Sequence, residues 1–349
     1  MFCSEFGRSY RPQLFPFAMV AQMVRSLVGA WSWSVLIILL APPTASAQKF
    51  TIALEVGGRQ IEGGPLAWTD SDVALLQRDG ALLNFSPAEA SKFRKTANGF
   101  RSYSQGEMRA QLAREFGRQF EVSGTGHYLV VHPTGQRDQW AGRFEQLYRS
   151  FVHYFGARGF RLQEPQFPFI AVVFPDKPAF LRYARQTNAQ LQANTLGYYS
   201  PISNRIVIYD TMHGRAAGGS NWQLNAQTII HEAAHQSAFN TSIHNRFAHP
   251  PLWVIEGLGT MFEARGVWNS RKYPSLSDRI NRGRLADFKR YMTTRRAPGS
   301  LARFVSSDRL FQSQTKDAYA EAWALTFFLA ETRLANYIQY LRKTAARTS

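Results

Sequence analysis

Cysteine is almost missing from this chain: one residue in 349, Cys3. Cys3 falls in a leading segment that is expected to be removed, so the remaining protein has no thiol. That rules out a disulfide framework, a thiolate metal site and a cysteine nucleophile. Long apolar runs are also missing. The most apolar stretch, Val35 to Ala41, extends generously to Leu27 to Ala41, which is 15 residues, short of the roughly 20 that cross a bilayer. Acidic residues are few, 24 Asp and Glu against 41 Lys and Arg, for a formal charge of +17. Such a balance favours acidic surfaces through long-range attraction. The basic residues are nevertheless dispersed, as in 92–95, 282–290 and 295–296, which reads as a solvated face and gives no specific nucleic-acid site. There is no internal repeat and no low-complexity segment.

What is present begins with a leader. Arg25 precedes the run VLIILLA (35–41), then Pro42-Pro43 and the small-residue stretch Ala45-Ser46-Ala47. This is the order of a secretory signal peptide over residues 1–47, with a possible true start at Met23. Export to the periplasm or the outside is expected, with no stable transmembrane anchor after cleavage. The mature chain then carries +15, since Arg8, Arg11 and Arg25 leave with Glu5.

Residues 48–105 read as a small β-rich domain, SH3-like in size, with glycine turns at Gly57-Gly58 and Gly63-Gly64 and a hairpin signal at Arg78-Asp79-Gly80. Ser86-Pro87-Ala88-Glu89 reads as a helix start, and Ser104-Gln105-Gly106-Glu107 as the capping box of a second helix to about Phe116. Beyond a boundary between 105 and 120, strands are expected at 120–122, 128–132, 169–174, 195–199 and 205–210. Helices are expected at 139–155, 177–185, 223–240, 251–264, 276–292 and 317–342. Strands first and helices later imply an α+β fold, the second domain running over 118–349.

The chemistry concentrates in IIHEAAHQSAF, residues 229–239. Residues four apart share one face of a helix, so His231 and His235 can present nitrogens to one metal ion. Glu232, rotated about 100° from His231, sits beside such an ion, where it can take a proton from a zinc-bound water. The five letters alone arise by chance in on the order of one chain in a hundred, so a third ligand has to be found. The glycine and histidine that would extend the motif are missing, their places held by Ala238 and Thr241. A carboxylate on a following helix is present: Glu256, within PPLWVIEGLGTMFEA (250–264). A carboxylate among Trp253, Val254, Ile255 and Leu258 is costly unless paired or metal-bound. Gly257 and Gly259 each weaken a helix by roughly 1 kcal/mol relative to alanine, which is explained if this helix packs tightly on the His231 helix. Glu263, two turns past Glu256, can hydrogen-bond a ligand histidine from behind.

HEAAH followed 21 residues later by Glu256-Gly257 resembles the gluzincin zinc metallopeptidases. Trp253 to Glu263, W-x-x-E-G-x-x-x-x-x-E, looks like the second zinc helix of aminopeptidase-N-type enzymes. From about Phe120 onward, with Gly197-Tyr198-Tyr199 and Tyr319-Ala-Glu-Ala-Trp323, the chain is similar to an uncharacterised group of exported bacterial peptidase-MA-like proteins. The resemblance implies a zincin-like domain of mixed sheet and active-site helices, with Zn2+ held by His231, His235 and Glu256. It further implies Glu232 as general base and peptide or protein as substrate. The exopeptidase motif G-A-M-E-N is absent, a departure from the aminopeptidase pattern that leaves endo- and exopeptidase both open. Gluzincins place a tyrosine or histidine downstream of the glutamate ligand to meet the oxyanion, and Tyr319, 63 residues on, is the candidate. Tyr198 and Tyr199 are weaker ones, since that hairpin is expected to supply an edge strand for substrate backbone. His213, His244 and His249 read as surface residues, His249 being the nearest to a spare ligand.

The sequence therefore supports an exported zinc metallopeptidase. A zinc-stabilised scaffold whose N-terminal β-domain carries the binding is one alternative, and a zinc hydrolase of non-peptide amides or esters is another.

Overall fold

A computed structural model of the chain describes residues 50–192, 194–211, 221–248 and 250–347, without the side chains of 137–139 and 221–225. The architecture is α+β: two five-stranded sheets come first, and a helical part follows.

The first sheet holds β1 (Thr51–Val56), β2 (Arg59–Trp68), β3 (Val73–Gln77), β4 (Leu82–Phe85) and β5 (Ala90–Ala97) in the order β4-β3-β2-β1-β5, all antiparallel. Gly57 and Gly58 make the β1–β2 turn with φ of 56° and 77°, the left-handed region that a Cβ disfavours. The inward residues Ile52, Leu54, Val73, Leu75 and Phe85 form its core. One expectation fails here. The capping box at Ser86 to Glu89 is present, but it closes only a single 3-10 turn over Pro87–Glu89. The next residues, ASKFRKTA, run as β5 along the otherwise open edge of β1. Only Phe93 among them is a large apolar residue, so a helix would have had no apolar face to bury, whereas the strand gains backbone pairing along β1, interrupted by two register shifts.

Ser104 caps α1 (Gln105–Phe116) through a complete capping box. The second sheet then assembles from β6 (Phe120–Gly124), β7 (Tyr128–Pro133), β8 (Phe169–Phe174), β9 (Gly197–Ser200) and β10 (Arg205–Tyr209) in the order β6-β7-β8-β10-β9. β7, β8 and β10 are parallel, joined by crossovers through α2 (Arg137–Gly156) and α3 (Lys177–Gln186), while β6 and β9 are antiparallel edges. Period-two alternation divides its residues between two cores. Leu129, Val131, Ile170, Val172, Tyr198 and Val207 face α1 and α3, against Met108, Leu112 and Phe180. Tyr128, Val130, Phe169, Ala171, Ile206 and Tyr199 face α2 and the helical part.

That part comprises α4 (Asn221–Asn240), α5 (Leu252–Phe262), α6 (Arg265–Trp268), α7 (Leu276–Arg279), α8 (Arg282–Thr294), α9 (Ser300–Ser306), α10 (Arg309–Ser313), α11 (Thr315–Thr332) and α12 (Leu334–Ala345). The stretch 276–292 breaks into α7 and α8 because Asn281 turns out of the helix and caps α8, accepting from Arg284 N–H. The stretch 317–342 breaks at Arg333 between α11 and α12. Among the described residues no helix is long and apolar enough to cross a membrane.

Candidate metal centre

From Thr228 to Phe239 every residue of α4 is buried, and so is every residue of α5 from Trp253 to Phe262. Two such helices can only pack against each other and the core, and their polar groups must satisfy one another. His231 and His235, one turn apart, bring their Nε2 atoms to 2.9 Å. Glu256 Oε2 lies 3.2 Å from His231 Nε2 and 3.6 Å from His235 Nε2. One donor atom from each of the three lies within 4.8 Å of the others, so the group could hold a metal ion. The fit is close. A tetrahedral ion bound at about 2.0–2.1 Å separates its ligand atoms by about 3.3 Å, near the middle of the observed 2.9 to 3.6 Å.

Behind the donors, Glu263 Oε1 is 2.9 Å from His231 Nδ1. Asn281 Nδ2 donates to Glu263 Oε2 at 2.8 Å, and Arg284 Nη2 approaches Oε1 at 3.7 Å. This arrangement fixes the His231 ring with Nε2 turned to Glu256 and His235, where an ion would be held. Burial opposes a charged His231, but hydrogen bonds to Glu256 and Glu263 and the nearby Glu232 outweigh it and raise its pKa to about 10. Burial opposes ionised Glu256 too, and the His235 charge and the His231 hydrogen bond bring it down to about 2. Proton and metal compete for the same nitrogens.

Glu232 lies beside the donors and is tied to β9. Its Oε2 accepts from the Tyr199 N–H at 2.7 Å, while its buried Oε1 has no hydrogen-bond partner among the described residues. Burial raises its pKa against the pull of His231 and His235. Two further residues on the same row of α4, four and eight positions on, grip the same hairpin. Gln236 Nε2 donates to Asn204 C=O at 2.8 Å and Ile170 C=O at 3.1 Å. The Asn240 and Asn204 amides bond reciprocally at 2.8 and 3.0 Å. One side of α4 thus holds the metal donors, and the adjacent row 232-236-240 is bound to the β9–β10 hairpin.

Tyr319, on α11, is buried with its ring centroid 6.5 Å from that of His231. Arg284 lies 5.1 Å from the Tyr319 ring centre and Phe311 packs edge-on at 5.6 Å. Ion pairs bracket it: Arg295 takes both Asp317 oxygens at 2.8 and 2.7 Å, and Arg296 bonds Glu321 Oε1 at 2.8 Å. Tyr319 is therefore held near the metal donors by the join of α8 to α11.

Several sequence expectations are corrected. Tyr198 points to the opposite side of the sheet, against Phe180 at 5.8 Å. β9 is the edge strand expected, but all four of its residues are buried and the Tyr199 N–H is taken by Glu232. His244 is not a surface residue. It is 2% exposed, packs edge-on against Phe239 at 5.1 Å, and burial lowers its pKa to about 3, because the loop after α4 folds back under the helix. His213 and His249 lie outside the described residues. The glycines have different neighbours: a Cβ on Gly259 would meet both ligand imidazoles, but one on Gly257 would meet Ala322 and Thr326 of α11 rather than α4. Sequence reasoning missed Asn281, Arg284, Gln236 and Asn240. The only signals were Asn281 as a helix cap three residues before Arg284 and the four-residue spacing Glu232, Gln236, Asn240.

Fold and centre together define an α+β protein with a buried His-His-Glu group suited to a metal ion. Residues 225–349, which carry all of these donors, match the family described as "Protein of unknown function (DUF1570)". No curated protein matches the chain.

Proposed function

We propose that this protein is an exported zinc metallopeptidase of gluzincin type. The observation that carries the reading is Glu232: a buried carboxylate beside the three donors, oriented through Oε2 and with Oε1 unpartnered. A purely structural metal site has no use for such a group. Two imidazoles and one carboxylate suit Zn2+ and leave a fourth position open. An ion there supplies Lewis acidity toward water and the scissile carbonyl. Glu232 accepts the proton of the attacking water and returns it to the departing amine, work that its raised pKa suits. Tyr319 faces the carbonyl oxygen as it gains charge. Export rests on the leader at 1–47.

The test uses the chain from Gln48 onward. It should carry about one zinc per chain and cleave members of a peptide library until a chelator is added. Glu232→Gln should keep the metal and lose about 10²–10⁴-fold in rate. A wild-type chain without metal would end the proposal, and an equally active Glu232→Gln would discard the mechanism.

A further inference from the structure

The first sheet touches the metal centre's supporting hairpin at one place. The tip of the β3–β4 hairpin, Arg78 to Gly80, lies against the β9–β10 turn, Pro201 to Asn204. Leu82 N–H donates to Ile202 C=O at 2.8 Å. Arg246 joins the two turns: its Nη2 donates to Gly80 C=O at 2.7 Å and to Pro201 C=O at 2.6 Å, and its Nε to Pro201 C=O at 3.1 Å. No carboxylate among the described residues forms an ion pair with it. Its hydrogen bonds go to carbonyls, and nearby Asp79 favours its charge without touching it, whereas a charge removed from water is normally paired directly. Its five donors in a rigid fork suit the bridging of two backbone turns. On the other side of the tip, Arg205 at the start of β10 bonds Glu115 at 2.6 Å and approaches Asp79 at 3.7 Å. Gly80 has φ +90°, and a Cβ there would sit 3.0 Å from Phe167 and 3.2 Å from Asn204 Nδ2. The tip is thus fitted closely to the turn.

The turn carries β9, and β9 carries the N–H that orients Glu232. Asn204 in the turn also accepts from the Tyr199 hydroxyl at 2.8 Å and bonds Asn240 of α4. We infer that Arg246 is a positioning residue for Glu232: by clamping the β9–β10 turn to the β3–β4 tip it fixes the strand that aims the base, making the first sheet a working part of the site. The kinetic half of this inference rests on the hydrolytic reading above. The structural half does not.

The experiment compares wild type, Arg246→Met, Arg246→Lys and Gly80→Ala in the metal-loaded chain from Gln48. Metal content, hydrogen exchange over 197–204, and kcat and KM on a library-selected peptide are measured. Metal content should stay at the wild-type level, because the donors lie on α4 and α5. Exchange over 197–204 should quicken by about tenfold. The kcat should fall by about 10- to 100-fold, the effect of a misplaced group, with KM within about twofold. Arg246→Lys, which keeps the charge but loses the fork, should fall between wild type and Arg246→Met. Should Arg246→Met not fold, Gly80→Ala applies the same perturbation from the other turn. A folded, metal-bearing variant with wild-type exchange and kcat overturns the inference, and so does loss of metal in either variant. Equal activity in Glu232→Gln would instead remove Glu232 as the base, with exchange still deciding whether Arg246 holds the strand.

Discussion

Gly257 and Gly259 lie two residues apart on α5, and their alanine variants should fail in different ways. For Gly259→Ala, the new methyl would stand 2.8 Å from Cε1 of both His231 and His235, about 0.7 Å inside ordinary van der Waals contact. Both rings are buried and cannot swing into solvent, so they must shift by roughly that amount, and the shift falls on the ligand nitrogens. Overpacking costs about 1–3 kcal/mol, while alanine returns about 1 kcal/mol of helix propensity. The metal-free fold should thus lose at most about 2 kcal/mol. Metal affinity should fall by about 10- to 100-fold, as when a ligand's support is disturbed. For Gly257→Ala the obstacle is the Ala322 carbonyl of α11 at 2.7 Å, together with the Thr326 hydroxyl. Backbone cannot rotate away, so the α5–α11 contact opens. Against unyielding backbone the overpacking cost reaches its upper end, about 3 kcal/mol, and less the same return of about 1 kcal/mol the metal-free protein should lose about 2 kcal/mol, a drop of several degrees in Tm, with affinity changed less than in Gly259→Ala. Zinc titration against a chromophoric chelator measures the first quantity, and calorimetry in excess chelator the second. Wild-type zinc affinity in Gly259→Ala, or a larger affinity loss in Gly257→Ala, would refute the packing argument.

Two further outcomes are expected. Glu263→Gln keeps an acceptor for His231 but removes the anion shared with Arg284, so chelator competition should show zinc affinity lower by about tenfold or more with the fold intact. Unchanged affinity would deny Glu263 its part in orienting His231. Away from the metal, buried Glu145 is opposed by burial, yet hydrogen bonds from His127, Arg149 and Thr125 lower its pKa from 4.5 to about 2. A depressed carboxylate pKa stabilises the fold fully above about pH 4.5, and that share is lost as pH falls toward 2. Glu145→Gln should cost about 1–3 kcal/mol at pH 7, and the difference from wild type in denaturant unfolding should shrink across that acid window. A gap independent of pH would disprove it.

Much of the centre was legible in the sequence because its signals are local. The His231–His235 spacing is a property of one helix, and Glu256 stands out as a charge in an apolar run. The apolar strands β7, β8 and β10 announce themselves in the same way. What stayed hidden depends on distant partners. β5 is a polar strand with no alternation of its own, made a strand by the open edge of β1. His244 follows a helix in a turn-like stretch, and only the fold-back of that loop buries it. Gly257 looks like Gly259 in sequence, and the arrival of α11 more than 60 residues later gives it a different neighbour. Asn281 reads as ordinary helix until Glu263 and the Thr260 carbonyl, which it bonds at 2.8 and 3.0 Å, are in place.

His231, Glu232 and His235 belong to one turn of one buried helix, and this divides the site's freedom of motion unequally. The backbone separation of Glu232 from the two imidazoles is a covalent matter, set by neighbouring residues of one helix. Tyr319 and the β9 amide that orients Glu232 come instead from separate elements, α11 and the β9–β10 hairpin. Under the proposed function, a shift of α11 or of the hairpin would disturb the aim of Tyr319 and of Glu232 while leaving the two imidazoles where α4 holds them. Temperature-dependent or substrate-dependent differences in turnover should trace to α11 and the β9–β10 hairpin, and hardly at all to α4.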